Sequence, residues 1–304
     1  MTAITVLMAA YNAELYIRES IESVLNQSYA DFEFIIINDG SSDNTENIIC
    51  SFSDRRIRYF SQVNAGLAKS LNKGLHLAKG KYIARIDADD VCYKHRLSEQ
   101  LHFMESNPGY VICGSYADVT DENGGFIYTY KNIPTTDAEI KRKIVYENCF
   151  VHSATFYRLD MALLAGCYYE PIKQHFEDYM FFFQILKHGK GYNIQEPLIK
   201  YRLTPGSISS RARSKKYNKL VVNVVNRGYI TDNEMSYLDR HKTKLAKQKV
   251  KVSNHYLTLS RLVLAHQRDY RKSLEYYSKA LRANFFCVNN FLTVLYLIAK
   301  TVIK

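Results

Sequence analysis

Short, uninterrupted apolar runs, each stopping at a polar cluster and separated by helix-periodic stretches, constrain the fold of this chain more than any other feature. The run at 4–8 (ITVLM) leads to Tyr11-Asn12, and the run at 34–37 (FIII) leads to Asn38-Asp39-Gly40-Ser41-Ser42-Asp43. A further strand signal at 56–60 is followed by Asn64-Ala65-Gly66, and the next strand, at 82–86, passes directly into Asp87-Ala88-Asp89-Asp90. Continuous apolar runs of this length are expected of strands buried on both faces of a parallel sheet. Between the first two, Ile17, Ile21, Val24 and Leu25 recur on one helix face. A further helix is predicted over 67–78, and Ser42 or Asp43 is placed to cap the helix after the second run. Strand and helix alternating at this spacing predict an α/β fold with a mostly parallel central sheet flanked by helices. Ligands bind outside the carboxyl ends of such strands. The clusters at Tyr11-Asn12, at Asp39 and at 87–90 are therefore expected to converge.

The pattern changes after residue 108. Strand signals at 110–113 and 126–130 flank a turn at 121–125, and further strands are expected at 153–157 and 198–202, with a helix opening near Asp178. These complete a body spanning 1–210, and residues 211–304 read as a basic, mostly helical C-terminal region. Within it, 254–284 reads as an ordinary helix pair. The stretch 285–303 plots as an amphipathic helix, with Asn289, Thr293, Tyr296 and Lys300 opposite Phe291, Leu295, Ile298 and Val302. Residues 201–304 hold 21 Lys and Arg against 5 Asp and Glu, whereas the first 200 hold 20 against 25, so the net charge of +11 resides in the tail. Such asymmetry suits an anionic partner, a membrane surface or a nucleic acid, or else a solvated helical face. The chain has 47% hydrophobic and 23% charged residues, which excludes a disordered protein. The absence of any apolar run of 18 residues argues against a spanning helix. Six cysteines without a metal-type spacing, and an N-terminus without a basic leader, fit reduced thiols and a cytoplasmic setting, peripheral at most on the membrane.

Several residues stand out chemically. Three carboxylates in four residues at a strand end repel one another unless donors or a cation compensate. In extended backbone Asp87 and Asp89 would face the same side. So few carboxylates suit a Mg²⁺ or Mn²⁺ ion that completes its shell with phosphate oxygens; the alternative is an acidic loop capping the helix that starts near Tyr93. Tyr11 offers a stacking face and Asp39 an acceptor for an imide N–H, although both also read as turn and cap residues. Glu177-Asp178 opens a very apolar helix, where a carboxylate can serve as general base or simply favour the helix dipole. His152 is expected to begin a strand as a satisfied, partly buried histidine. Tyr201-Arg202 and the following Gly206-Ser207-Ile208-Ser209 read as a loop with phosphate donors. No P-loop, dinucleotide, zincin or serine-hydrolase motif is present.

Taken together, these segments resemble the inverting nucleotide-sugar glycosyltransferases of family 2, which have the GT-A fold. The resemblance runs through VLMAAYNAELYIRESIESVLNQSYADFEFIIINDGSSDNT, NAGLAKSLNKGL, YIARIDADD, RLSEQ, HSATFYR, FEDY and YRLTPGSIS, in order over about residues 3–210. It implies a Rossmann-like nucleotide-binding domain with a C-terminal helical extension. It further implies that Ala9, Tyr11, Asn12, Asp39 and Asn64 line the nucleotide pocket, with Asp39 on the uracil. Asp87 would contact nucleoside or metal, Asp89 would ligate Mn²⁺ or Mg²⁺, and Arg202 and Ser209 would hold the diphosphate. Asp178, within the Glu177-Asp178 pair, would deprotonate the acceptor hydroxyl, and His152 would stand on the acceptor side. The implied activity is transfer of one hexosyl or N-acetylhexosaminyl unit from a UDP-sugar to a glycan or lipid-linked acceptor with inversion, in surface polysaccharide biosynthesis.

Two departures stand out: Ser153 replaces the family's frequent proline, and Leu203-Thr204-Pro205 stands where a histidine is frequent. Without tryptophan or membrane spans, the chain lacks the marks of a processive synthase. The rival readings are a non-catalytic nucleotide-sugar-binding module, a sugar nucleotidyltransferase and, driven by the tail, a nucleic-acid binder. The intact carboxylate set argues against the first. AAYNAE, which is not a glycine-rich basic loop, argues against the second. Nothing resembling a base-reading motif accompanies the charge, so no nucleic-acid partner is expected.

Overall fold

The computed structural model describes residues 2–168, 170–172, 176–205, 215–244 and 248–284. The strands are β1 (Ile4–Ala10), β2 (Phe32–Asn38), β3 (Ile57–Ser61), β4 (Tyr82–Arg85), β5 (Val91–Cys92), β6 (Tyr110–Thr120), β7 (Phe126–Tyr130), β8 (Phe156–Arg158) and β9 (Lys190–Arg202). The helices are α1 (Ile17–Leu25), α2 (Thr45–Cys50), α3 (Leu67–Leu77), α4 (Arg96–Ser106), α5 (Asp137–Lys143), α6 (Leu159–Leu164) and α7 (Glu177–Ile185), followed by α8 (Lys215–Arg227), α9 (Asp232–Lys244), α10 (Gln248–Gln267) and α11 (Tyr270–Ala283). Among the described residues nine strands form one sheet in the order β3-β2-β1-β4-β8-β6-β9-β5, with β7 on β6. The expected parallel block is present: β1 pairs in parallel with β2 and β4, and β2 with β3. β8 then runs antiparallel to both β4 and β6, so the sheet is mixed beyond β4.

The chain forms two compact units. The first comprises the chain through Ala117, Tyr130–Tyr201 and Lys219–Ile230. Its core is built by β1, β2 and β4 against α1, where Ile17, Ile21 and Val24 are buried as their spacing predicts. The second comprises Asp118–Thr129, Arg202–Asn218 and the chain from Thr231. In it α10 and α11 form the expected pair, brought close by Ser260 and Ser273, whose hydroxyl oxygens are 3.0 Å apart. Leu259, Val263 and Tyr276 pack with Ile127 and Leu203. Polar contacts fix the turn before β7: the Tyr276 hydroxyl donates to Asp121, and His255 Nε2 lies 3.2 Å from a Glu122 carboxylate oxygen. Among the described residues no helix is long and apolar enough to cross a membrane. The amphipathic stretch expected at 285–303 and Cys287 lie outside the described residues.

Two local expectations are corrected. His152 does not begin a strand: His152–Ala154 form a single 3-10 turn, and β8 starts only at Phe156. The reason is polar, because Thr155 bends back to give its hydroxyl to the His152 carbonyl at 2.8 Å. Residues 87–90 are not extended either. They form a turn in which the Asp90 N–H approaches the Asp87 carbonyl at 3.4 Å, and Ser20 holds the carbonyls of Ala88 and Asp90 at 2.9 and 2.6 Å.

Candidate active site

Parallel pairing of adjacent β2, β1 and β4 sends all three carboxyl ends to one edge of the sheet, and the three polar clusters meet there as expected. The Asp39 N–H donates to the Ala10 carbonyl at 2.9 Å, and the Ile86 N–H donates to the Leu7 carbonyl at 3.1 Å. Asn12 takes positive φ (49°), and its side-chain oxygen receives the Ser42 N–H at 2.8 Å, bracing one turn against the next. Tyr11 is 53% exposed beside it, Ala9 is half-buried and Asn64 is exposed.

Asp39 is buried and organises its surroundings. Its Oδ1 accepts the Ala65 N–H and the Gln62 amide, each at 2.8 Å, and its Oδ2 accepts the Gly66 N–H at 2.8 Å. A carboxylate has about four lone-pair sites, so one acceptor site remains on Oδ2. Gly40 makes this loop approach possible. At φ 72°, a Cβ on it would meet the Asn64 nitrogen at 2.7 Å.

Past β4, the turn gathers more than the two carboxylates an extended strand would have shown. Oxygens of Asp87, Asp89 and Asp90 all lie within 4.8 Å of one another. That is close to the ~4 Å that oxygens on one ion of Mg²⁺ size span, and three hard oxygen donors are the ligand type such ions take. Asp90, the third carboxylate of the cluster seen in the sequence, thus joins the two expected to face one side. Arg85 is not among the residues the sequence pointed to; its guanidinium, 1% exposed, makes a two-pronged pair with Asp87. Burial works against the Arg85 charge, and attraction and hydrogen bonding from Asp87 outweigh it, so its pKa lies above the ordinary guanidinium value. Ser153, the departure from the frequent proline, accepts the Asp87 N–H on its hydroxyl at 2.8 Å.

Glu177 and Asp178 form the first turn of α7 in the same unit. Asp178 is pinned by the Asn148 amide on Oδ2 and by the Tyr179 N–H on Oδ1, each at 2.8 Å. Glu177 is 5% exposed. Burial first, then the Asp178 charge, push its pKa up to about 8, with Arg85 opposing and Asp87 adding to the rise. The charges of Arg85 and Asp87 thus reach Glu177, which ties the acidic turn after β4 to the start of α7.

His152 lies in this field. Burial and the Arg85 charge push its imidazole pKa well down, leaving the ring neutral, and its Nε2 is hydrogen-bonded to the Tyr168 hydroxyl at 3.0 Å. Tyr168 is held by its backbone: Asn72 of α3 donates to its carbonyl and accepts its N–H, both at 2.9 Å. No spacing in the sequence announces Asn148, Asn72 or Tyr168, because each acts across 16 to 96 residues of chain. Arg202, at the end of β9, belongs to the second unit, where it is buried and its Nη1 lies 3.3 Å from the Glu122 carbonyl. Ser209 lies outside the described residues.

Residues 5–163 match the family model described as Glycosyl transferase family 2. The chain is 34% identical over 219 residues, 70% of its length, to an uncharacterized glycosyltransferase of Methanocaldococcus jannaschii, covering 74% of that protein. It is also 34% identical over 212 residues to the Escherichia coli UDP-Glc:alpha-D-GlcNAc-diphosphoundecaprenol beta-1,3-glucosyltransferase WfgD, covering 68% of this chain and 79% of WfgD. Among solved structures, Staphylococcus aureus TarS 1-349 in complex with UDP-GlcNAc superposes with a TM-score of 0.61 at 17% identity, over 92% of this chain and 89% of that one. These agreements in sequence and fold establish that the chain belongs to glycosyltransferase family 2, with a GT-A fold and a helical C-terminal part.

Proposed function

We propose that this protein moves one sugar, a hexosyl or N-acetylhexosaminyl unit, from a UDP-sugar to a hydroxyl of a glycan or lipid-linked acceptor, with inversion, in surface polysaccharide assembly. The observation that carries the reading is the cluster of Asp87, Asp89 and Asp90, with oxygens within 4.8 Å of one another past the end of β4, in the same unit as Glu177 and Asp178. The UDP-sugar named for WfgD and the UDP-GlcNAc bound to TarS support the donor class. On this reading Tyr11 stacks on the base, the free acceptor site of Asp39 takes the imide N–H, and Ala9, Asn12 and Asn64 line the pocket. Asp89, with Asp90 beside it, would hold the Mn²⁺ or Mg²⁺ ion whose chemistry is to offset charge on the departing diphosphate.

Asp178 takes the acceptor proton from the face opposite the leaving group, so an α-linked donor yields a β-glycoside. Glu177, kept protonated near neutral pH by its burial and its neighbour, holds its proton while Asp178 acts as base. His152, neutral and hydrogen-bonded to Tyr168, stands on the acceptor side as a polar group without charge. Residues 1–210 form the catalytic part and 211–304 the helical extension, in a protein held at the cytoplasmic membrane face.

Release of UDP from a set of UDP-sugars, with Mn²⁺ and a diphosphate-lipid acceptor, tests the proposal. The wild type is expected to turn over. Asp178→Asn should lose roughly 10²–10⁴-fold in kcat while still binding UDP. A variant that matches the wild type in turnover would remove Asp178 from the reaction, and UDP binding without turnover on any sugar would favour a binding module.

A further inference from the structure

A central strand buried on both faces has no use of its own for an arginine, yet β4 ends in one. Arg85 is fully surrounded, and a guanidinium is expensive to desolvate. Its Nη1 meets Asp87 Oδ2 and its Nη2 meets Asp87 Oδ1, a fork-on-fork pair, whereas its Nε makes no hydrogen bond. All its directed bonding in the side chain therefore goes to one residue. The burial is lopsided: the Arg85 side chain is 2% exposed and that of Asp87 31%. The cation lies beneath a carboxylate that faces solvent.

The backbone around the pair is held as firmly. The Asp87 N–H is given to Ser153, the Arg85 N–H to the Thr155 carbonyl at 3.0 Å, and the Arg85 carbonyl accepts from Arg96 at 2.7 Å. β4 ends at Arg85 and the Ile86 N–H is still given to the Leu7 carbonyl at 3.1 Å, so Asp87 stands at the opening of the turn with its carboxylate closed on the Arg85 fork.

We propose that Arg85 is a positioning residue for Asp87. It occupies one lone pair on each Asp87 oxygen, turns the remaining pairs outward to accept hydroxyls of the nucleoside diphosphate donor, and leaves the ion to Asp89 and Asp90. It also offsets one of the three charges crowded into the turn, so their oxygens can gather before any ligand arrives. This rests on the UDP-sugar reading.

A double-mutant cycle on the full chain tests it, with UDP binding in Mn²⁺ followed by calorimetry and Mn²⁺ binding followed by the electron-spin signal of the free ion. D87N is expected to weaken UDP about tenfold, and R85M/D87N to weaken it no further than D87N alone, within twofold, because Arg85 acts only through Asp87. R85K, which keeps the charge and loses the fork, should raise the donor KM severalfold with kcat nearly unchanged. D89N, and not D87N, should release Mn²⁺. R85M strands the Asp87 carboxylate and D87N the more deeply buried Arg85 guanidinium, so the neutral pair R85M/D87N, with the same tenfold loss expected against the wild type, carries the test should either single variant fail to fold. Additive losses in the cycle, a wild-type KM in R85K, or Mn²⁺ release by D87N as large as by D89N would each overturn the assignment. A wild type that binds no UDP would instead overturn the functional reading on which it rests.

Discussion

Glu177 makes the sharpest claim at the scale of a single residue, because its environment works against its charge. A carboxyl whose pKa is raised by folding keeps its proton over a range where the unfolded chain has lost it. Here the folded group titrates at about 8, and the ordinary value is 4.5. Between those limits the unfolded state binds fewer protons, so stability falls as pH rises through the window and levels off above it. Glu177→Gln removes that titration. Thermal melts of the two proteins at pH 5, 6, 7 and 8 should therefore diverge, the variant gaining on the wild type with each step. Parallel curves would mean that Glu177 is ionised throughout and that its burial is compensated by some other group. Arg85 belongs to the same scale. Its presence was legible in YIARI as a charge inside an otherwise apolar run, whereas its pairing with Asp87 was not, because Asp87 lies past the end of the strand, at the opening of a turn.

At the scale of elements, the segments that carried the family resemblance turn out to hold one another. Arg96, from RLSEQ, is fully buried at the start of α4 and donates to the carbonyls of Arg85 and Thr155, at 2.7 and 3.2 Å. Gln100, one turn later, accepts from Arg96 at 3.0 Å and donates to the Ala154 carbonyl at 2.8 Å. YIARIDADD, RLSEQ and HSATFYR thus form one hydrogen-bonded node that sets where β4 ends and where β8 enters beside it. Arg96→Met fills similar space but removes the side-chain donor from the Arg85 carbonyl and from the Gln100 oxygen, while the Thr155 carbonyl keeps the Arg85 N–H, and each buried polar group left unsatisfied costs about 1–3 kcal/mol. Urea denaturation should show a loss of that order, and an unchanged midpoint would mean that the node is dispensable. The parallel strands were legible because burial on both faces writes itself as an apolar run. The turn at 87–90 and the 3-10 turn at His152 were not. Both are set by single hydroxyls, Ser20 and Thr155, bonding to backbone carbonyls, and a serine or threonine in a sequence carries no sign of which carbonyl it will meet.

For the whole molecule, the decisive quantity is the uneven charge: a surplus of 16 positive charges after residue 200 against a deficit of 5 before it. Among the described residues of the second unit Asp121 lies 3.9 Å from Lys272 and Glu275 3.5 Å from Lys279, and five acidic side chains after residue 200 cannot match 21 basic ones charge for charge. Each Lys or Arg near an anionic bilayer contributes about 1 kcal/mol, within a Debye length of ~8 Å at physiological salt. An enzyme acting on a lipid-linked acceptor gains from that attraction, because it confines the search for substrate to the membrane surface. The full chain is therefore expected to sediment with vesicles containing phosphatidylserine at low salt and to leave them as salt rises to about 0.5 M. Vesicles of phosphatidylcholine alone should not retain it. Equal retention on both vesicle types would show that apolar contact, not charge, does the holding. Retention on neither, with tight and salt-steep binding to single-stranded DNA, would direct the basic region to nucleic acid instead.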